Sequence, residues 1–321
     1  MPTVFSEYSQ LSGVETRRSM ILRIEALFLL LLISVSGLCS AATQPILGER
    51  LEYTLKFRGL ITGFVELDIA RVTLDVEEHM GQVMAMPTYV TNLHLTTAPY
   101  SKAELLYPVR LSYRSWLDAQ ELHPLIAFKT LKAGEDRAEF FWFDRQAGFA
   151  HHYQTGEEAA PSPPPKFQPV AALSNDQWSA LNQTKALQMN GAQALDYMGL
   201  IHRLRSMPIE SGKPIEFATF NGKEIEWFRV DVSRERMIRA GWDKDTFRLK
   251  LREIDPESGE LGETVEIWMS ADDQRRLLRF YAERTFGAME GILETGRPIV
   301  ERQAEGLSEA TQSSLESYLD F

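Results

Sequence analysis

Cysteine occurs once in this chain, at Cys39, and histidine only six times. A lone thiol forms no intramolecular disulfide and cannot make a thiolate metal site, so the fold must rest on buried side chains. The histidines are His79, His94, His123, His151, His152 and His202. None belongs to an H-E-x-x-H pair, and neighbours such as His151 and His152 point to opposite faces of a strand, which defeats chelation by both. No metal and no other cofactor is expected. The chain also lacks a G-x-S-x-G elbow, the turn that exposes a strained serine above a sheet. A basic excess is missing as well: 34 Lys and Arg stand against 45 Asp and Glu, a formal charge of -11. Coulomb repulsion then disfavours nucleic acid and anionic lipid headgroups as partners.

Long apolar runs are absent with one exception, Ala26-Leu27-Phe28-Leu29-Leu30-Leu31-Leu32-Ile33-Ser34-Val35. That run is short for a bilayer span, follows Arg17, Arg18 and Arg23, and precedes the small residues Cys39-Ser40-Ala41-Ala42. It reads as a cleavable export signal over residues 1–41, cut after Ala41 or Ala42, which leaves no transmembrane anchor and places the mature protein in the periplasm by the general secretory route. The arginine pair also resembles a twin-arginine signal, and Met20 is an alternative start. Residues 1–41 hold three Arg and three Glu, so the acidic balance belongs to the mature chain.

After the leader the pattern has period two. Leu51, Tyr53, Leu55 and Phe57 alternate with Glu52, Thr54, Lys56 and Arg58, and after Gly59-Leu60-Ile61-Thr62-Gly63 the alternation resumes in Val65, Leu67 and Ile69. Strands with one greasy side belong to antiparallel sheets. Similar alternation runs through Tyr107, Val109, Leu111 and Tyr113, and through Phe247, Leu249 and Leu251, with further strands expected at 138–143, 225–232, 263–269 and 277–284. Helical spacing is read at 176–189 and 195–206, as a cover on the sheet. The expected fold is mainly β: a large curved antiparallel sheet or half-open barrel over residues 42–296, with a short helical segment on one face. A proline-rich loop at 159–166 interrupts it, and a flexible acidic tail spans 297–321.

Three stretches resemble the domain-of-unknown-function 3108 family. Gly48-Glu49-Arg50-Leu51-Glu52-Tyr53 followed by Gly59 and Gly63 is similar to its opening hairpin. Asp196-Tyr197-Met198-Gly199 through Arg203, Pro208 and Gly212 resembles its "D-x-x-S-x-x-Y-x-x-R-x-x-P-L-x-x-G" stretch. Trp268-Met269-Ser270-Ala271-Asp272 resembles a late strand. The resemblance implies an exported, β-rich envelope protein and supplies no catalytic residue.

Few motifs carry chemistry. Ser270 with Asp272 reads as turn chemistry rather than as a nucleophile pair. Asp272-Asp273 with Glu224 or Glu226 are carboxylates that a chain this acidic pairs by chance. Asp243-Lys244-Asp245 opens like a calcium loop, but Arg248 stands where the sharp turn needs glycine. The remaining excess is aromatic. Packing is the plain reading, and the sharper one is a groove for an apolar or lipid-like envelope ligand, lined by Tyr53, Phe57, Tyr107, Tyr113, Phe140 and Trp142, with Arg203 and Arg205 meeting its headgroup. The expected function is a non-catalytic periplasmic binding or carrier protein, with an envelope protein as a further partner. An exported hydrolase with a spatially assembled site and an outer-membrane-associated factor are the alternatives.

Overall fold

The computed structural model describes residues 44–59, 65–133, 135–156, 180–189, 193–239, 241–255, 258–284 and 287–294. The leader with Ala41 and Ala42, the proline-rich loop and the tail lie outside the described residues. Among these residues the strands are β1 (Arg50–Gly59), β2 (Leu67–Val76), β3 (Gly81–Val83), β4 (Met86–Thr96), β5 (Arg110–Asp118), β6 (Pro124–Ala133), β7 (Glu135–Asp144) and β8 (Phe149–Thr155). They continue with β9 (Leu181–Gln188), β10 (Ile215–Phe220), β11 (Ile225–Arg239), β12 (Trp242–Ile254), β13 (Leu261–Ser270), β14 (Leu277–Arg284) and β15 (Gly287–Leu293). Two helices accompany them, α1 (Ser101–Leu106) and α2 (Tyr197–Ser206).

All strands join one sheet in the order β10-β11-β12-β13-β14-β15-β1-β2-β4-β5-β6-β7-β8-β9, with β3 paired to β4. Every pairing is antiparallel, and most join sequence neighbours through tight hairpins. Besides β2, which pairs with β4, the exception is the pairing of β1 with the last strand: β1 lies in the middle of the order, between β2 and β15, with Tyr53 opposite both Val72 and Leu293. The end strands β9 and β10 do not pair with each other, so the sheet is not closed into a barrel. Side chains span the gap instead. Phe220 of β10 meets Phe141 and Phe143 of β7 edge-on, at centroid separations of 6.2 and 6.0 Å.

The alternation of β1 survives intact: Leu51, Tyr53 and Leu55 are buried while their neighbours are wetted, as a half-buried strand requires. Their side of the sheet is the inner one, and α2 lies on it. Asp196 caps the helix by accepting from the Gly199 amide at 2.6 Å, and Met198, Leu200 and Leu204 sink into the core. Gly199 is required for that approach: a Cβ there would sit 2.9 Å from Asp196 Oδ1 and 3.3 Å from Pro124.

Two expectations need correction. Over 176–189 the described part is strand, not helix: Leu181–Gln188 forms β9 against β8, because Leu181 and Leu187 are the sole bulky apolar residues there and no helical stripe competes with ladder bonding. The alternation read from Tyr107 begins too early. Pro108 keeps the chain off the ladder, β5 starts at Arg110, and Tyr107 ends α1.

Candidate functional site

The inner face offers almost no room. Around α2 a crevice of about 10 Å³, the space of a single water, is lined by Glu49, Leu51, Met198, His202 and Arg205 among others. Its polar wall is an ion pair. Arg205 donates to both carboxylate oxygens of Glu49, at 2.6 and 2.8 Å, and to the Gln274 carbonyl at 3.2 Å, with both side chains buried. Beside it the Tyr53 hydroxyl donates to the Leu277 carbonyl at 2.8 Å. Burial, with the Arg205 charge adding to it, pulls the His202 imidazole down to about 3, so it is neutral. The cluster ties α2 to both the first strand and the β13–β14 turn.

The larger opening lies where the β5–β6 and β7–β8 turns meet the chain entering α2. It is a cleft of about 210 Å³ with Pro124, Phe143, Met189 and Ala194 as apolar walls and His123, Arg145 and Gln193 at its polar side. Asp118 organises the first turn by accepting from the Gln120, Glu121 and His123 amides, and Asp144 does the same for Gln146 and Ala147. Arg145 crosses between the turns to Asp118 at 3.2 Å and Glu121 at 2.9 Å. Arg203 donates to the Glu121 carbonyl at 3.2 Å. Burial first, then the charges of Arg145 and Arg203, bring His123 down to about 4. The cleft's polar side thus offers a neutral imidazole, the Gln193 amide and a guanidinium already paired with two carboxyl groups: hydrogen-bonding capacity with its one lining charge compensated.

A third polar group occupies the inner side of β6–β9. His152 contacts Thr184 Oγ1 at 2.5 Å through Nδ1 and Glu139 at 3.1 Å through Nε2, and Lys129 reaches the same carboxylate at 2.9 Å. Burial alone would raise Glu139, and the bonds from His152 and Lys129 outweigh it and hold the carboxyl at about 2. The order hydroxyl, imidazole, carboxylate is that of a nucleophilic triad. Here, however, the ring is 5 % exposed, Phe141 lies at 5.0 Å, and Gly222 approaches so closely that a Cβ would sit 2.9 Å from the imidazole. The row joins strands; it presents no attacking oxygen to an open site.

The expected lining residues are not brought together. Tyr53 and Tyr113 are buried on the inner face, Tyr113 donating to Asp196 at 3.1 Å, and Phe57 is half-buried further along the same side of β1. Phe140 and Trp142 point to the opposite, outer face, where Phe140 is wholly buried and Trp142 stacks on His151 at 4.6 Å. Tyr107 is exposed on α1. Arg205 is spent on Glu49, and Arg203 alone of the two arginines lies beside the cleft. Sequence reasoning missed His123, Phe143, Arg145 and Met189; the Asp118 and Asp144 turns were readable, but not their convergence.

Other motifs resolve simply. Ser270 Oγ donates to Asp272 at 2.6 Å and accepts from the Arg276 amide, while Asp272 accepts from the Gln274 and Arg275 amides: this is turn chemistry, as expected. Asp243 binds Arg236 across the β11–β12 hairpin. Glu226 accepts from Asn221 at 2.5 Å, and its carboxyl is raised chiefly by burial. Among the described residues no three His, Cys, Asp or Glu gather as a metal site, and no helix is long and apolar enough to cross a membrane.

No curated protein matches the sequence. Among solved structures, a beta-barrel-like protein of domain of unknown function DUF1849 from Brucella abortus is similar with a TM-score of 0.47 at 9% identity, covering 79% of this chain and 97% of that one. A family model matches residues 52–294, from Glu52 in β1 to Glu294 just past β15. The chain belongs to that family, the proteins of unknown function DUF3108.

Proposed function

We propose that this is an exported, non-catalytic binding protein of the cell envelope, and that its ligand is a small apolar molecule with an uncharged polar head, taken in the cleft between His123 and Met189. One observation carries the reading: the cleft of about 210 Å³ joins an apolar wall of Phe143, Met189, Ala194 and Pro124 to a polar side where Arg145 is already paired with Asp118 and Glu121 and His123 is neutral. Such a combination suits a compact apolar ligand steered by a few hydrogen bonds. The rest of the inner face, by contrast, is filled by the protein's own helix. Export rests on the apolar run at 26–35 with its basic approach and small-residue exit.

The uncharged dye N-phenyl-1-naphthylamine tests the cleft. Its fluorescence is expected to rise on mixing with the protein, and the rise is expected to be lost in Ala194→Leu, which fills the cleft, and reduced in Gln193→Trp, which crowds its rim. An enhancement that both variants leave unchanged, with circular dichroism confirming their folds, puts the ligand elsewhere. Cell fractionation of the chain with and without residues 1–41 tests the location.

A further inference from the structure

Helix α1 (Ser101–Leu106) buries none of its residues, and the run at its end is the most exposed apolar stretch described: Leu105 is 86%, Leu106 77% and Tyr107 61% exposed. A helix of this length does not hold itself in water. Polar bonds fix it instead. The Glu104 carboxylate accepts from Arg110 at 2.7 and 3.0 Å and from the Thr97 hydroxyl at 2.5 Å, and Thr97 in turn accepts from the Val109 amide at 3.0 Å. The Tyr107 amide closes the last turn on Ala103 at 2.8 Å, and Pro108 ends it. The two leucines therefore contribute nothing to the folding of the segment that presents them, and the clasp keeps them pointing outward.

We propose that Leu105, Leu106 and Tyr107 form a tip that inserts into the surface of a lipid bilayer with zwitterionic headgroups. Area argues against a protein partner or a second copy. Even at about 200 Å² each, three side chains fall short of the roughly 800 Å² that each partner gives a stable interface. A bilayer makes no such demand, because it closes around a projecting tip. Two leucines reach the acyl region while a tyrosine ring sits at the headgroup level, its usual place. The formal charge of -11 opposes an anionic leaflet, which selects the zwitterionic one. The tip and the ligand cleft lie at opposite ends of β5, so the two proposals stand or fall separately.

The test uses the full chain with Cys39→Ser, labelled with the environment-sensitive dye NBD on a cysteine introduced by Leu106→Cys, and, as a control, by Lys213→Cys, an exposed site on the connection between α2 and β10. Both are mixed with phosphatidylcholine–phosphatidylethanolamine vesicles carrying nitroxides on the acyl chains. Because the readout is local, membrane binding through residues 26–35 does not mimic it. Dye at 106 is expected to be quenched and dye at 213 not. Adding Leu105→Ser is expected to raise the lipid concentration needed by on the order of tenfold. Absence of quenching at 106, or quenching insensitive to Leu105→Ser, overturns the proposal. A blue shift at 106 that grows with protein concentration without lipid also overturns it, in favour of a second copy.

Discussion

The outer face of the sheet is built in two ways. Along β11–β15 it is ionic. Asp231 lies between Arg229 and Arg252, Glu266 binds Arg248 at 2.7 Å with Lys250 beyond, and Glu290 takes both Arg279 and Arg239. The Trp268 ring is covered by two guanidiniums, Arg279 at 4.0 Å and Arg248 at 5.4 Å. Along β4–β8 the same face is apolar, with Val90, Trp116, Ile126, Phe140 and Tyr153 almost wholly buried. On this side the first half buries the single ring of Trp268, and the second buries a whole apolar layer. Rows of partly exposed charge contribute little each, whereas a buried ring contributes several kcal/mol, so stability should reside in the second half.

That contrast is sharpest at Phe140. Phe140→Ala is expected to cost about 4 kcal/mol in a urea melt, since the ring is fully buried between Phe128 and Tyr153 on the neighbouring strands. A loss below about 1 kcal/mol would show that the outer apolar layer is not packed, and would level the two halves. The Glu49–Arg205 pair is the charged exception. Glu49→Gln leaves a buried guanidinium short of its counter-ion and is expected to cost about 3 kcal/mol, while replacing both partners, by Glu49→Gln with Arg205→Met, should recover much of it.

Acid provides a third probe. His123 and His202 titrate at about 4 and 3 in the folded chain and near 6.5 when unfolded, so the unfolded chain binds more protons in between. Stability is then complete above about 6.5 and falls as pH drops toward 4, by up to about 3 kcal/mol for each histidine. Glu139, held at about 2, adds a further loss below its ordinary 4.5. His202→Phe should flatten the first slope in denaturation midpoints taken between pH 7 and 4; an unchanged slope would place the acid sensitivity elsewhere. The smallest effect is expected in the ionic half. Asp231→Asn should change stability by under about 1 kcal/mol, and by less still in high salt.

The same contrast governs what could be read from sequence. Strand β1 and helix α2 were legible because each has one dry side, and periodicity reports one dry side directly. The run Phe140-Phe141-Trp142-Phe143 has no alternation because both its faces are covered; continuity of that kind is itself the signature of a doubly buried strand. Reading it as one lined groove merged residues that face opposite ways. Arg205 misled for a different reason. Its partner Glu49 is 156 residues away, and no local pattern reports a bond of that span.

Placing the first strand beside the last has a consequence for how the molecule is made. Most hairpins can zip as soon as their second half has been made, but β1 waits with one rail of its ladder bare until residue 293 has been added. A chain stopped short of β15 would retain most of its hairpins and still expose a sticky edge at its centre. Synthesis to the far end of the domain is thus the event that turns a row of ribbons into a protein.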